Sequence, residues 1–168
     1  MNFRSASFIL FVLLISFSSC LPIPGPQGFI ETPVSRAPAP KTPGQVDFES
    51  KMTLFTTNES MALEVFQMPD TISRDAMLYE INDRGIYYWN ENVKILDEIQ
   101  KIDLPDHIKP IVPVLRSYCA LRIKSYHFLY NAIEKGGKLA DQKEEMNKYN
   151  KQIDVLMAKL QAEKDVQN

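Results

Sequence analysis

Residues 110–134 read PIVPVLRSYCALRIKSYHFLYNAIE. Val112, Leu115, Cys119, Arg122, Tyr126, Leu129 and Ile133 recur at steps of three and four, the spacing that gathers side chains on one face of an α-helix. Val114, Tyr118, Leu121, Ile123, Phe128 and Tyr130 populate the other faces. A helix that is apolar nearly all round must be covered from several sides, so this one is expected at the centre of a bundle. Proline deep in a helix removes a hydrogen bond and kinks the axis. The regular helix is therefore expected to start near Pro110 or Pro113 and to run to Glu134. Gly136-Gly137 follows as a stop and turn.

On the C-terminal side, residues 138–164 place Leu139, Met146, Tyr149, Ile153, Leu156 and Leu160 in a single seam, with Lys, Glu, Gln, Asp and Asn elsewhere. That pattern suits an edge helix, or self-association with a second chain through the seam. On the N-terminal side, residues 72–101 carry a stripe of Leu78, Ile81, Gly85, Tyr88 or Trp89, Val93, Leu96, and Ile99 or Gln100. Gly85 costs a helix about 1 kcal/mol relative to alanine, so close approach of a neighbouring helix is expected there. Met68-Pro69-Asp70 stops the preceding helix, with Asp70 or Thr71 as the expected cap of the next. The first segment, 46–67, has Phe48, Met52, Phe55, Ala62 and Phe66 on one face. Thr56-Thr57-Asn58 is expected to weaken or break it, because β-branched and cap-prone residues disfavour a helix interior. Convincing strand alternation is absent. Short connections favour antiparallel neighbours, so residues 45–168 are expected to form one all-α domain, an up-down helical bundle of three to four helices.

Composition limits the function classes. The 168-residue chain has ordinary hydrophobic (45%) and charged (24%) fractions and a formal net charge of −2, which fits one domain plus a tail. Loss of residues 1–19 with Arg4 takes the charge to about −3. That is too weakly acidic to imply a basic partner, and it argues against nucleic acid, whose binders normally show a basic face. Two cysteines, Cys20 and Cys119, do not make a disulfide scaffold. Two histidines, His107 and His127, make no Glu-x-x-His pair, so no metal site or cofactor is expected.

The amino terminus reads as an address. Arg4 is the only charge before an apolar run, Phe8 to Ile15, which is followed by Ser16, Phe17, Ser18, Ser19 and Cys20. This is the order of a secretory signal, and the run is too short to span a bilayer. Residues 21–44, LPIPGPQGFIETPVSRAPAPKTPG, hold seven of the eleven prolines. Each restrains its own φ and extends its predecessor, which makes a semi-rigid tether reaching about 75 Å if fully polyproline-like and roughly 30 Å as a coil.

Phe17-Ser18-Ser19-Cys20 resembles a bacterial lipobox, with Phe17 in place of the more usual leucine. The resemblance, confined to about the first twenty residues, implies membership of the bacterial lipoproteins: cleavage before Cys20 and lipidation of its thiol. Two or three acyl chains would then hold the chain stably at the membrane. An ordinary signal peptide with Cys20 incidental is the alternative. Asn58-Glu59-Ser60 also matches a glycosylation sequon, which a bacterial lipoprotein is not expected to use.

No nucleophile elbow, zincin, phosphate-binding or dinucleotide-binding motif occurs. The chain is therefore expected to be a membrane-anchored envelope lipoprotein with a non-enzymatic binding or structural domain that contacts an unidentified protein. Its candidate binding residues are Tyr87, Trp89 and Arg122, beside the second helix. Arg122 needs a carboxylate or carbonyl partner if buried, with Glu59, Glu80 and Asp83 as candidates, or it snorkels outward. The aromatic run Tyr87-Tyr88-Trp89 is expected to pack as the core face of a central helix; the alternative leaves one member exposed, as at a binding patch. The rival readings are a carrier holding a small apolar or acidic ligand in the bundle, with Arg122 at its head, and a secreted helical protein without lipid.

Overall fold

The computed structural model describes residues 41–165, except positions 70 and 107, with backbone alone at 163–165. The segment read as a signal, Cys20 and most of the segment read as a tether, and with them the lipidation expected at Cys20, lie outside the described residues, as does His107. Four helices follow in order: α1 (Pro43–Leu63), α2 (74–99), α3 (Ile111–Glu134) and α4 (Lys143–Asp165). Short 3₁₀ turns, Glu64–Gln67 and Leu139–Gln142, follow α1 and precede α4. The all-α bundle expected from the sequence is the observed architecture.

Cross-helix pairs set the register. From α1 and the 3₁₀ turn after it to α2, Lys51 pairs with Glu98, Phe55 with Asn92 and Glu64 with Arg84. From α2 to α3, Asp97 pairs with Arg116 (2.6 Å) and Arg74 with the Ile133 carbonyl (3.1 Å). Both sets run in opposite directions, so neighbours are antiparallel. The α3 helix packs against both α2 and α4, and α4 packs on α3. The central place of residues 110–134 and the edge place of the last helix follow from their apolar coverage. The seam residues Met146, Ile153 and Leu160 are buried within the chain.

Several boundaries differ from expectation for physical reasons. The first helix starts at Pro43, inside the segment read as tether. Thr42 is its N-cap, with a reciprocal bond from Gln45, and Pro43 occupies the first turn where no N–H partner is needed. The break expected at 56–58 does not occur. The hydroxyls of Thr53, Thr56 and Thr57 donate back to helix carbonyls at 2.9–3.0 Å, and the helix continues to Leu63. Ser73, not Thr71, caps the second helix by accepting from the Ala76 amide, and Asp70, the other expected cap, lies outside the described residues. Pro113 sits in the first turn of α3, where it removes no intrahelical bond. Gly136, with φ +90°, closes α3 as the glycine pair implied, and Arg74 donates to the last carbonyls of that helix, those of Ile133 and Glu134.

The second helix is α-helical over Arg74–Tyr79 and Tyr87–Ile99 but carries a π segment at Glu80–Ile86. The wider i→i+5 turn accommodates an extra residue. Gly85 lies in this segment, packed so closely on the α3 residue Tyr126 that a Cβ there would overlap the ring. The close approach expected from the sequence is therefore present.

Candidate functional site

Three helices converge on a polar centre inside the bundle. Trp89 of α2 is fully buried and flanked edge-on by Tyr118 (5.3 Å) and Tyr126 (6.4 Å) of α3. The Arg122 guanidinium, 3% exposed, lies over the faces of Trp89 (5.8 Å) and Tyr118 (5.2 Å), within cation–π range. Tyr118 donates its hydroxyl to Glu59 of α1 and accepts from Arg122 Nε at 3.3 Å. The carboxylate partner that Arg122 requires is thus Glu59, reached through a phenol. Glu80 and Asp83, the other candidates, do not reach it; Glu80 pairs with Arg84 instead.

Burial dominates the electrostatics. Glu59 is 2% exposed, and desolvation raises its carboxyl pKa, against the pull of the Tyr118 hydrogen bond and the Arg122 charge. Tyr118 is pushed well up by burial and by the Glu59 charge, so it stays a proton donor. Burial disfavours the Arg122 charge, but Tyr118, Tyr126 and Glu59 outweigh it, and its pKa rises. Cys119, one residue along, is buried and pushed up to about 12 by desolvation, which leaves it an unreactive thiol at neutral pH.

Around this centre, Asn92 donates to the Phe55 carbonyl (3.1 Å), Ser125 to the Arg122 carbonyl (2.7 Å) and Tyr126 to the Ala62 carbonyl (2.7 Å). Burial pushes the Tyr126 hydroxyl well above the ordinary phenol range, against the pull of the Arg122 charge, and the buried Trp89 N–H has no hydrogen-bond partner among the described residues. Arg122 Nη1 and Asn92 Oδ1 also lack a protein partner among the described residues. The Tyr126 bond ties the end of α1 to α3 across Gly85. Tyr126→Phe should therefore cost about 1–2 kcal/mol, because a buried carbonyl loses its donor. A lower urea midpoint at unchanged m-value is the check.

The structure brings two of the three candidate residues together and separates the third. Trp89 and Arg122 touch, but both face inward and line no surface groove. Tyr87 is 53% exposed on the outer side of α2, stacked edge-on with Tyr88 at 5.3 Å. It is the exposed member of the aromatic run. Sequence reading missed Asn92, buried and bonded across the α1 interface, and Tyr79, 56% exposed. His127 is exposed. Among the described residues, no group of three or more metal-ligating side chains occurs. A shallow polar recess on α4 involves Glu144, Lys148, Lys151 and Asp154, remote from the buried centre. A scan against protein-family models, a search of curated proteins and a search of solved structures each found no match to this chain.

Proposed function

We propose that this chain is a membrane-tethered envelope lipoprotein whose helical domain is a non-enzymatic module for protein contact. The lipobox-like Phe17-Ser18-Ser19-Cys20, placed between an apolar signal run and a proline-rich tether, carries the reading. No helix among the described residues is long and apolar enough to cross a membrane, so in this reading attachment is through acylated Cys20. Within the domain, the polar side chains with the most unusual surroundings are spent on internal contacts. Glu59, Tyr118 and Arg122 are sealed from solvent, where a substrate cannot reach them. Contact then falls to the outer surfaces.

The rival in which the bundle carries an apolar or acidic ligand is disfavoured by the same packing. Trp89, Tyr118 and Tyr126 fill the space beside Arg122, and Glu59 already supplies the acid. Fractionation tests the anchoring. Wild-type protein should sediment with membranes and resist high salt, while Cys20→Ser should lose that association. Equal sedimentation of the two, or a wild-type protein found free, would favour the lipid-free secreted reading.

A further inference from the structure

The outer side of α2 exposes two tyrosines, Tyr79 at 56% and Tyr87 at 53%. In an uninterrupted α-helix, residues eight apart are rotated by about 80°. The π segment between them takes up an extra residue and removes most of that rotation. Tyr79, Asp83 and Tyr87, all exposed, therefore share one stripe. The π segment is also a recurrent feature of functional helices.

Charge gives the stripe a sign. Arg84 is held between Glu80 (3.1 Å) and Glu64, and Lys94 by Glu91 (2.5 Å). Four carboxylates, Glu64, Glu80, Asp83 and Glu91, thus stand against two cations, and Asp83 is the member left without an ion pair among the described residues. Aromatic faces attract cations, and tyrosine is enriched where binding energy concentrates. The net charge of the whole chain implied no basic partner, but this local arrangement does.

Building on the binding-module reading above, we propose that the Tyr79–Asp83–Tyr87 stripe docks a basic segment of a partner protein, with Arg or Lys side chains laid on the tyrosine rings and paired with Asp83. The test uses the purified full chain and fluorescence anisotropy of labelled nona-arginine at about 50 mM salt, where surface charge is weakly screened. Wild type should bind nona-arginine and not nona-glutamate. Tyr79→Ala/Tyr87→Ala leaves every charge in place and should weaken binding about tenfold or more. Tyr87→Phe keeps the ring and should retain binding, and Asp83→Asn should weaken it several-fold. Leu54→Ala, at an exposed apolar site on α1, serves as the control and should change nothing. Equal melting temperatures establish that the variants are folded. Failure of wild type to bind, or undiminished binding by the double tyrosine variant, overturns the proposal. The fraction from which the chain is purified reports anchoring separately, so failed docking by an acylated chain leaves the lipoprotein reading standing.

Discussion

Glu59→Ala should destabilise the domain by about 3–5 kcal/mol at neutral pH, because it leaves a buried guanidinium without its counter-charge. It also strips Tyr118 of its acceptor and opens space under α1. The more informative variants separate these effects. Glu59→Gln keeps the shape and an acceptor for Tyr118, so it should cost less. The double replacement Glu59→Leu/Arg122→Met removes both charges and should lie closer to wild type than either single change, as buried ion pairs exchanged for apolar residues commonly do. Simple additivity of the two single losses would show that the residues do not act as a unit.

The same carboxyl sets a pH dependence. Its folded-state pKa is raised by burial, so between the ordinary carboxyl value and the raised one the folded state holds more protons than the unfolded state. Stability then falls as pH rises through that window and increases on acidification within it. Glu59→Gln should flatten this slope. Urea midpoints measured across the acidic range for both proteins check it, and an unchanged slope in the variant would assign the dependence to other groups.

Gly85→Ala should be the most costly of the single-methyl additions. The new Cβ would lie far inside van der Waals contact of Cε1 and Cδ1 of Tyr126, and that ring is held by its hydroxyl bond to Ala62 and by Phe66 at 5.6 Å. Overpacking of this kind costs about 1–3 kcal/mol and occasionally more. The helix preference for alanine, about 1 kcal/mol, offsets only part of it. In a Tyr126→Ala background the obstacle is gone, and Gly85→Ala should become neutral or stabilising. Thermal or urea unfolding of the four proteins in this cycle decides the matter; a loss that persists in the Tyr126→Ala background would place the strain elsewhere.

What was legible in the sequence follows from how local each signal is. The α3 pattern from Val112 to Ile133 repeats over many turns, so its burial could be read directly. Gly85 was legible for a similar reason, as a helix-disfavouring residue inside an apolar stripe. The ambiguity between Tyr88 and Trp89 has a physical source: the π segment shifts the phase of α2, and a fixed 3.6-residue period cannot register that slip. Asn92 was missed because its burial depends on a carbonyl thirty-seven residues away, that of Phe55. The Thr42-Pro43-Gly44-Gln45 start carries a capping signal, but Pro43 also continues the proline-rich pattern of residues 21–44, which masks it. Glu59 lay among the possible partners of Arg122, yet only the fold selects it. The exposure of Tyr79 depends equally on the fold, because its spacing does not distinguish an outward tyrosine from a core one.

The proposed lipid attachment at Cys20 would decide where the domain works. The most direct measurement is the intact mass of the mature amino terminus from membrane fractions, for wild type and Cys20→Ser. The expected result is a wild-type terminus at Cys20 carrying acyl mass that is lost in the variant. An unmodified terminus at another residue would contradict it and leave a freely secreted helical protein with Cys20 incidental.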